Sequence, residues 1–396
     1  MLTPLLAART VSETFSRHGM DFDVSAASVA ATRDTIDRRF ESLMAGQESR
    51  KATWSRLVSE QVRGGYLKTA RGLLLAAPSM LDAQNSAALL ASVDVQGLAG
   101  DDAIEAAALN YLDEDVRYAY EHAVSPLRAM WRAAIAQPEA GASPEEAETS
   151  ENLPPSAGLN VLGDERDLAM QAARWVRGQN IDTFAFALSG VGLSALGDSE
   201  RAGASIVRAA DKAGKLNPDL KRHIERRLFN VAPPERLKRD LTVRFSGALG
   251  IAAQGDVVLD IIRGDIDQRE LADFEEQLRF IREISLKTSA PATIRILSYA
   301  RNDLDLQRAR LLTEAGGDKA LALMAMEGAT ALTAAQTPVR WTTRLRVMLS
   351  FLVGMGLSLL WLTADTFIRS MRRGRSVRRS AVYGLDEREW DYDKRP

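Results

Sequence analysis

Apolar side chains recur along this chain at intervals of three and four residues, the period of a helix with one buried face. Strict alternation of apolar and polar residues, the mark of a half-buried strand, is nearly absent. From residue 29 onward, Val29, Thr32, Ile36, Phe40 and Leu43 fall on one stripe. A second stripe carries Trp54, Leu57, Val58 and Val62 and stops at Gly64-Gly65; a third carries Leu67, Ala70, Leu73, Leu74 and Ala77 and stops at Pro78. Asp101 with Glu105 opens another helix, and Tyr120, Ala123, Leu127, Met130 and Trp131 mark one more. Short helices joined at a Gly pair form hairpins, the unit from which α-solenoids stack, although no second copy recurs at a fixed period of roughly 30 to 45 residues.

The pattern breaks between residues 137 and 157, where QPEAGASPEEAETSENLPPSA holds four prolines, five glutamates and no basic or aromatic side chain. Such a stretch cannot build a packed core and reads as an acidic linker. Helical spacing then resumes. Asp164 precedes a helix with Leu168, Ala172, Trp175 and Val176, and the apolar segment 183–197, TFAFALSGVGLSALG, follows. Asp198-Ser199 caps a helix with Ile206, Val207 and Ala210 on one face. Asn217-Pro218 caps another, with Leu220, Ile224 and Leu228 inward and basic residues around the rest, a face for solvent or for anionic lipid. Leu271, Phe274, Leu278, Ile281 and Ile284 make a strong amphipathic helix. Further on, a helix from Asp303 ends at Gly316-Gly317, and one more runs from Asp318 to about residue 335.

Residues 347–368, VMLSFLVGMGLSLLWLTADTFI, depart from amphipathic spacing altogether: they are apolar on every side, with Asp365 as the only charge. At 1.5 Å of rise per residue, 22 residues reach roughly 33 Å, enough for the hydrocarbon layer of a bilayer. Arg340, Arg344 and Arg346 precede the segment. Ser350, Gly354 and Ser358 recur every four residues and line one side as a stripe along which another membrane helix can approach. Arg369, Arg372, Arg373, Arg375, Arg378 and Arg379 follow, and such clusters stay on the cytoplasmic side, held by anionic lipid. With a single crossing, the preceding residues lie outside the cytoplasm. The start, MLTPLLAARTVSETF, has neither a basic n-region nor an apolar core of signal-peptide length. Either the start is shortened or the 15-residue segment 183–197 enters the bilayer too. Against the latter, residues 201–240 hold eleven Lys or Arg against five Asp or Glu, an unfavourable loop to export.

Composition narrows the chemistry. Lys plus Arg number 51 against 53 Asp plus Glu, a balance that argues against a nucleic-acid-coating protein. The absence of cysteine excludes disulfides, thiolate metal sites and thiol nucleophiles. His18, His122 and His223 are too far apart for an HxxxH or HExxH metal site. GxxxxGK(S/T), GxGxxG and GxSxG motifs are missing. Asp265-Ile266-Asp267 offers carboxylates to a divalent cation, but Asp267 equally suits the N-cap of the helix bearing Leu271, and capping is the commoner use. No catalytic residue, cofactor or metal ligand is expected.

Four further stretches share a character of their own: VLGDERDL at 161–168, AFALSGVGLSAL at 185–196 with RAGASIVRAADKAGKLNPDL at 201–220, and EAGGDKALAL ahead of the terminal apolar segment. Together they resemble a group of uncharacterised proteobacterial membrane proteins with a GD-x-RD element, an apolar VGL segment, a basic AG-x-S-x-x-(K/R)-A-A helix and a C-terminal transmembrane anchor. The likeness covers residues 161–368. In that group the apolar segment is longer and the N-terminus often hydrophobic; both are reduced here. The resemblance implies a bacterial membrane location and no activity.

The expectation is therefore an all-α protein in five parts: an N-terminal domain of helical hairpins, solenoid-like in character, over 1–136; the linker 137–157; a second helical region over 158–340; a transmembrane helix over 347–368; and an Arg-rich tail over 369–396. The expected role is a non-enzymatic interaction or scaffold protein of the bacterial inner membrane, with the lipid bilayer, a protein partner or a second copy, and no nucleic acid, as its partners. The alternative is a channel or transport component with 183–197 inserted.

Overall fold

The computed structural model describes residues 22, 24–93, 100–125, 162–245, 251–337, 350, 353–358 and 360–365. Among these residues the chain is all-helical, without strands. It divides into two units, 22–337 and the two ends, 1–21 with 338–396. The linker 137–157 and the arginines of the tail lie outside the described residues.

The first helices of the larger unit are α1 (Ala26–Leu43), α2 (Arg50–Arg63), α3 (Leu67–Leu75), α4 (Ala77–Met80), α5 (Ala83–Val93), α6 (Asp101–Leu109) and α7 (Glu114–Val124). Ser25 and Ser49 start α1 and α2 by accepting hydrogen bonds from the amides of Ser28 and Ala52. The buried stripe of α1 is Ser28, Thr32, Ile36 and Phe40, with Met44 just beyond, so its lower end is set one position away from the Val29 and Leu43 of the sequence pattern. Gly64 caps α2, and Gly65 turns the chain with a φ of 76°. Pro78 ends α3 as expected but also opens the single turn α4, where a missing N–H costs nothing.

The next group is α8 (Glu165–Val176), α9 (Thr183–Ser194), α10 (Asp198–Lys212), α11 (Pro218–Val231), α12 (Pro234–Arg244), α13 (Ile251–Asp265), α14 (Gln268–Lys287) and α15 (Ala290–Leu297). They close around a core that includes Leu168, Trp175, Phe186, Leu220, Ile262, Phe274 and Ile281, with Trp175 and Phe186 edge to face at 5.4 Å. Helix α9 sits inside this core. Every residue from Phe184 to Gly192 is buried, and α10, α11 and α13 pack around it. Its 12 residues rise only about 18 Å, short of a bilayer crossing, and protein already surrounds it. The segment thus has the surroundings of a core helix, and the reading in which it enters the bilayer loses its inserted element.

The last elements of this unit are α16 (Asp303–Gly316), α17 (Asp318–Glu327) and a 3-10 helix (Gly328–Ala334). The helix expected to continue to about residue 335 stops at Gly328, whose φ of 61° turns the backbone. Helix α16 lies between the two groups, against α14 on one side and α1 on the other, while α17 is pressed onto α3. Contacts therefore cross the division drawn at the linker. They also join helices some 250 positions apart, as the ion pair of Arg71 with Asp318 does. A solenoid repeat touches only its chain neighbours, so the packing is not solenoid-like.

Two glycines explain how closely these helices meet. A methyl group at Gly72 would stand 1.9 Å from the Asp318 carbonyl oxygen, and one at Gly203 2.2 Å from that of Leu278. Only glycine lets α3 reach α17, and α10 reach α14, at that separation.

Candidate functional surfaces

Among the described residues, no three His, Asp or Glu side chains converge to hold a metal ion. Asp267 is the N-cap of α14 and accepts from the amides of Arg269 and Glu270, the use the sequence favoured over a cation site. Its neighbour Asp265 is buried instead. Burial first, and then the charge of Asp240 alongside, push the Asp265 carboxyl above the usual range, although Arg236 and Arg239 act against this. One of its oxygens has no hydrogen-bond partner. The histidines do not meet: His18 lies outside the described residues, His122 stacks on Tyr118, and His223 approaches Asp303 at 3.0 Å beside Arg227.

The densest ionic cluster surrounds Arg71, whose guanidinium reaches Asp102 at 2.9 Å, Glu105 at 2.7 Å and Asp318 at 2.9 Å. Tyr120 donates its hydroxyl to the other oxygen of Glu105. Burial, then this hydrogen bond, push the Tyr120 phenol far above its ordinary range. Burial alone would lower the Arg71 pKa, but its hydrogen bonds to Glu105 and Asp318 outweigh that and raise it. Each charge is thus met by another from a different helix, α3, α6 and α17. The arrangement ties helices together and leaves no reactive group poised for substrate.

The motifs behind the resemblance are likewise accounted for by packing. Gly163, with a φ of 78°, delivers the chain to Asp164, which caps α8 through the Asp167 amide. Gly190 faces Ile262 at a distance where a methyl would clash, and Gly203 faces α14. In EAGGDK, Gly317 turns the chain and Asp318 and Lys319 reach back to Arg71 and Asp37. These residues build the fold and do not converge on one site.

What remains is surface. Of the apolar segment 347–368, residues 350, 353–358 and 360–365 are described and helical. Val353, Leu357, Leu360, Trp361 and Leu362 are all more than half exposed. At 100° per residue Val353, Leu357, Leu360 and Trp361 fall on one side of the helix and Leu362 stands opposite, so a single flat surface covers four of the five. Gly354 and Ser358 share one side, where the Ser358 hydroxyl donates to the Gly354 carbonyl at 2.8 Å, and Ser350 is exposed one turn earlier. Among the described residues no helix is long and apolar enough to cross a membrane, the remainder of 347–368 lying outside them. A second surface, which the sequence reading used only as a charge count for topology, is the outer side of α12. Its signal was available in Leu237 and Leu241, four apart after Pro234, with Arg236, Lys238, Arg239 and Arg244 among the remaining positions.

The chain matches no family model, no curated protein and no solved structure.

Proposed function

We propose that this protein is a membrane-anchored helical interaction protein, in which the packed helices of 22–337 present a surface to a protein partner and the apolar C-terminal segment fixes that surface to a bacterial inner membrane. The observation that carries this reading is the exposure of five large apolar side chains, Val353, Leu357, Leu360 and Trp361 on one side of the helix and Leu362 on the other. Moving five such side chains out of water is worth about 10 kcal/mol, at roughly 2 kcal/mol each. A helix apolar on all sides is at home in a protein core or in lipid. The arginines from 369 to 379 support a cytoplasmic tail, and the resemblance of 161–368 to proteobacterial membrane proteins agrees with the location.

Removal of residues 347–396 tests the anchor. The shortened chain is expected in the soluble fraction of a cell lysate, whereas the full chain sediments with membranes and needs detergent for release. Continued sedimentation of the shortened chain, with its helical circular dichroism intact, overturns a sole C-terminal anchor. A reporter fused after Pro396 is expected to read as cytoplasmic, and a periplasmic signal reverses the orientation.

A further inference from the structure

Helix α12 buries only Leu237 and Leu241, which face α8 and α13. On the side opposite these leucines lie Glu235, Arg236, Arg239, Thr242 and Val243, with Lys238 at one flank, while Arg244 stands in the last turn on the leucine side; all are exposed. Val243, at 79%, is the most exposed large apolar side chain among the described residues. The helix holds four cations against Glu235 and Asp240. Asp240 stands 3.8 Å from Arg239 and beside Asp265. Among the described residues, Arg236, Lys238 and Arg244 close no ion pair, in contrast to Arg71, Arg208 and Arg227, which meet carboxylates of other helices.

We infer that the outward side of α12 is a docking surface for anionic lipid, its Arg236, Lys238 and Arg239 meeting headgroup phosphates and carboxylates while Val243 reaches between them. Charge complementarity selects an anionic partner. The shape selects a surface over a small ion: the cations fan out along a convex helix about 16 Å long and converge on no single point. Lipid is favoured over nucleic acid because an apolar side chain stands amid the cations, as on helices that lie in a membrane interface. A sugar-phosphate backbone would leave Val243 facing charge. The inference leans on the membrane reading above for what brings α12 near lipid, yet it makes a claim of its own about residues 234–244.

The absence of native cysteine allows a clean test in the full-length chain. Thr242→Cys, on the exposed side of α12, takes an environment-sensitive dye, and Thr330→Cys, exposed on the 3-10 helix, serves as the control position. The labelled protein is mixed with vesicles of phosphatidylcholine, alone or with a minority of phosphatidylserine. The dye at 242 is expected to brighten and shift to the blue with phosphatidylserine only, and to revert at high salt, while the dye at 330 stays unchanged. Each cation lost in Arg236→Gln/Lys238→Gln/Arg239→Gln is expected to weaken the response about fivefold. No response to phosphatidylserine, an equal response at both positions, or a larger one with duplex DNA or RNA of matched charge overturns the assignment. Flotation of the same samples separates this from the anchor. Flotation on neutral vesicles with a silent dye at 242 overturns the α12 surface alone. Flotation only with phosphatidylserine, lost at high salt, overturns the anchor and leaves α12 standing.

Discussion

Helix α9 and the helical residues 353–358 and 360–365 are two strongly apolar stretches of the chain, and they have opposite surroundings. Helix α9 has nine consecutive buried residues, Phe184 to Gly192, and neighbouring helices on every side. Five large apolar side chains of the other stand exposed, four on one side and Leu362 opposite. Hydrophobicity along the sequence therefore does not decide whether a helix belongs to protein or to lipid. Length and neighbours do. The 15 apolar residues of 183–197 are flanked by amphipathic helices whose apolar faces need a centre to pack on, and α9 supplies it. The 22 residues of 347–368 are apolar on every side, and the large apolar side chains described among them stand exposed.

Introducing the same charge into both helices breaks the comparison most strongly. Leu188→Arg places an unpaired cation at a fully buried position and is expected to cost more than about 4 kcal/mol, enough to leave the body unfolded or aggregated. Leu357→Arg, at a position 62% exposed, is expected to leave the thermal unfolding of the body unchanged. It instead weakens membrane retention, since an arginine near mid-bilayer costs about 3 kcal/mol on insertion scales. Thermal melts paired with membrane fractionation read both effects. A melt lowered by Leu357→Arg would mean that this helix is covered by protein.

Glycines sharpen the contrast at a smaller scale. Gly203→Ala pushes a methyl into the backbone of α14 and is expected to cost about 1–3 kcal/mol, a fall of several degrees in melting temperature. Gly354 meets nothing within 4 Å, so Gly354→Ala leaves the melt where it was. If the stripe of Ser350, Gly354 and Ser358 packs a second copy in the bilayer, Gly354→Leu lowers chemical cross-linking of the membrane-bound protein. Unchanged cross-linking removes that role from the stripe.

The contrast also marks how far the sequence was legible. Elements with an amphipathic stripe and a cap were readable in place: Asp164 before α8, Asn217 before α11 and Asp267 before α14 each accept the expected amide hydrogen bonds. Local chemistry fixes a helix start, so local sequence reports it. What escaped was long-range. Nothing near Arg71 announces Asp318, and nothing near Gly203 announces Leu278, because these partners are set by how helices stack. For the same reason 1–136 read as a domain of its own, although α1 and α3 complete their packing on α16 and α17. The glycines of the loose motifs read as features of a family, whereas their use is close approach between helices. The outer side of α12 was hidden by averaging, since a basic excess over forty residues says nothing about which cations remain unpaired on one face.

Within the enclosed body one polar group is poorly accommodated, and it yields the smallest expected effect. Asp265 is 8% exposed, one of its oxygens lacks a partner, and burial with the neighbouring Asp240 raises its pKa above the ordinary 3.8. The folded chain therefore retains a proton on this carboxyl at pH values where the unfolded chain has released it. Stability from that proton is fully present below the unfolded pKa and is lost as pH rises through the higher folded value. At neutral pH the ionised, buried carboxylate is a net cost that Arg236 and Arg239 only partly offset. Asp265→Asn keeps the shape, cannot ionise, and supplies an amide that donates to Asp240. It is expected to raise stability by about 1 kcal/mol at pH values above the raised pKa, an increase of a few degrees in melting temperature, and to lose that advantage as the pH falls below the ordinary 3.8, where both folded and unfolded chains hold the proton. Melts of the two proteins in both pH ranges decide the point. A loss of stability at neutral pH would show that Arg236 and Arg239 hold Asp265 as a carboxylate, and that these two cations face inward in part, which leaves fewer charges on the outer side of α12.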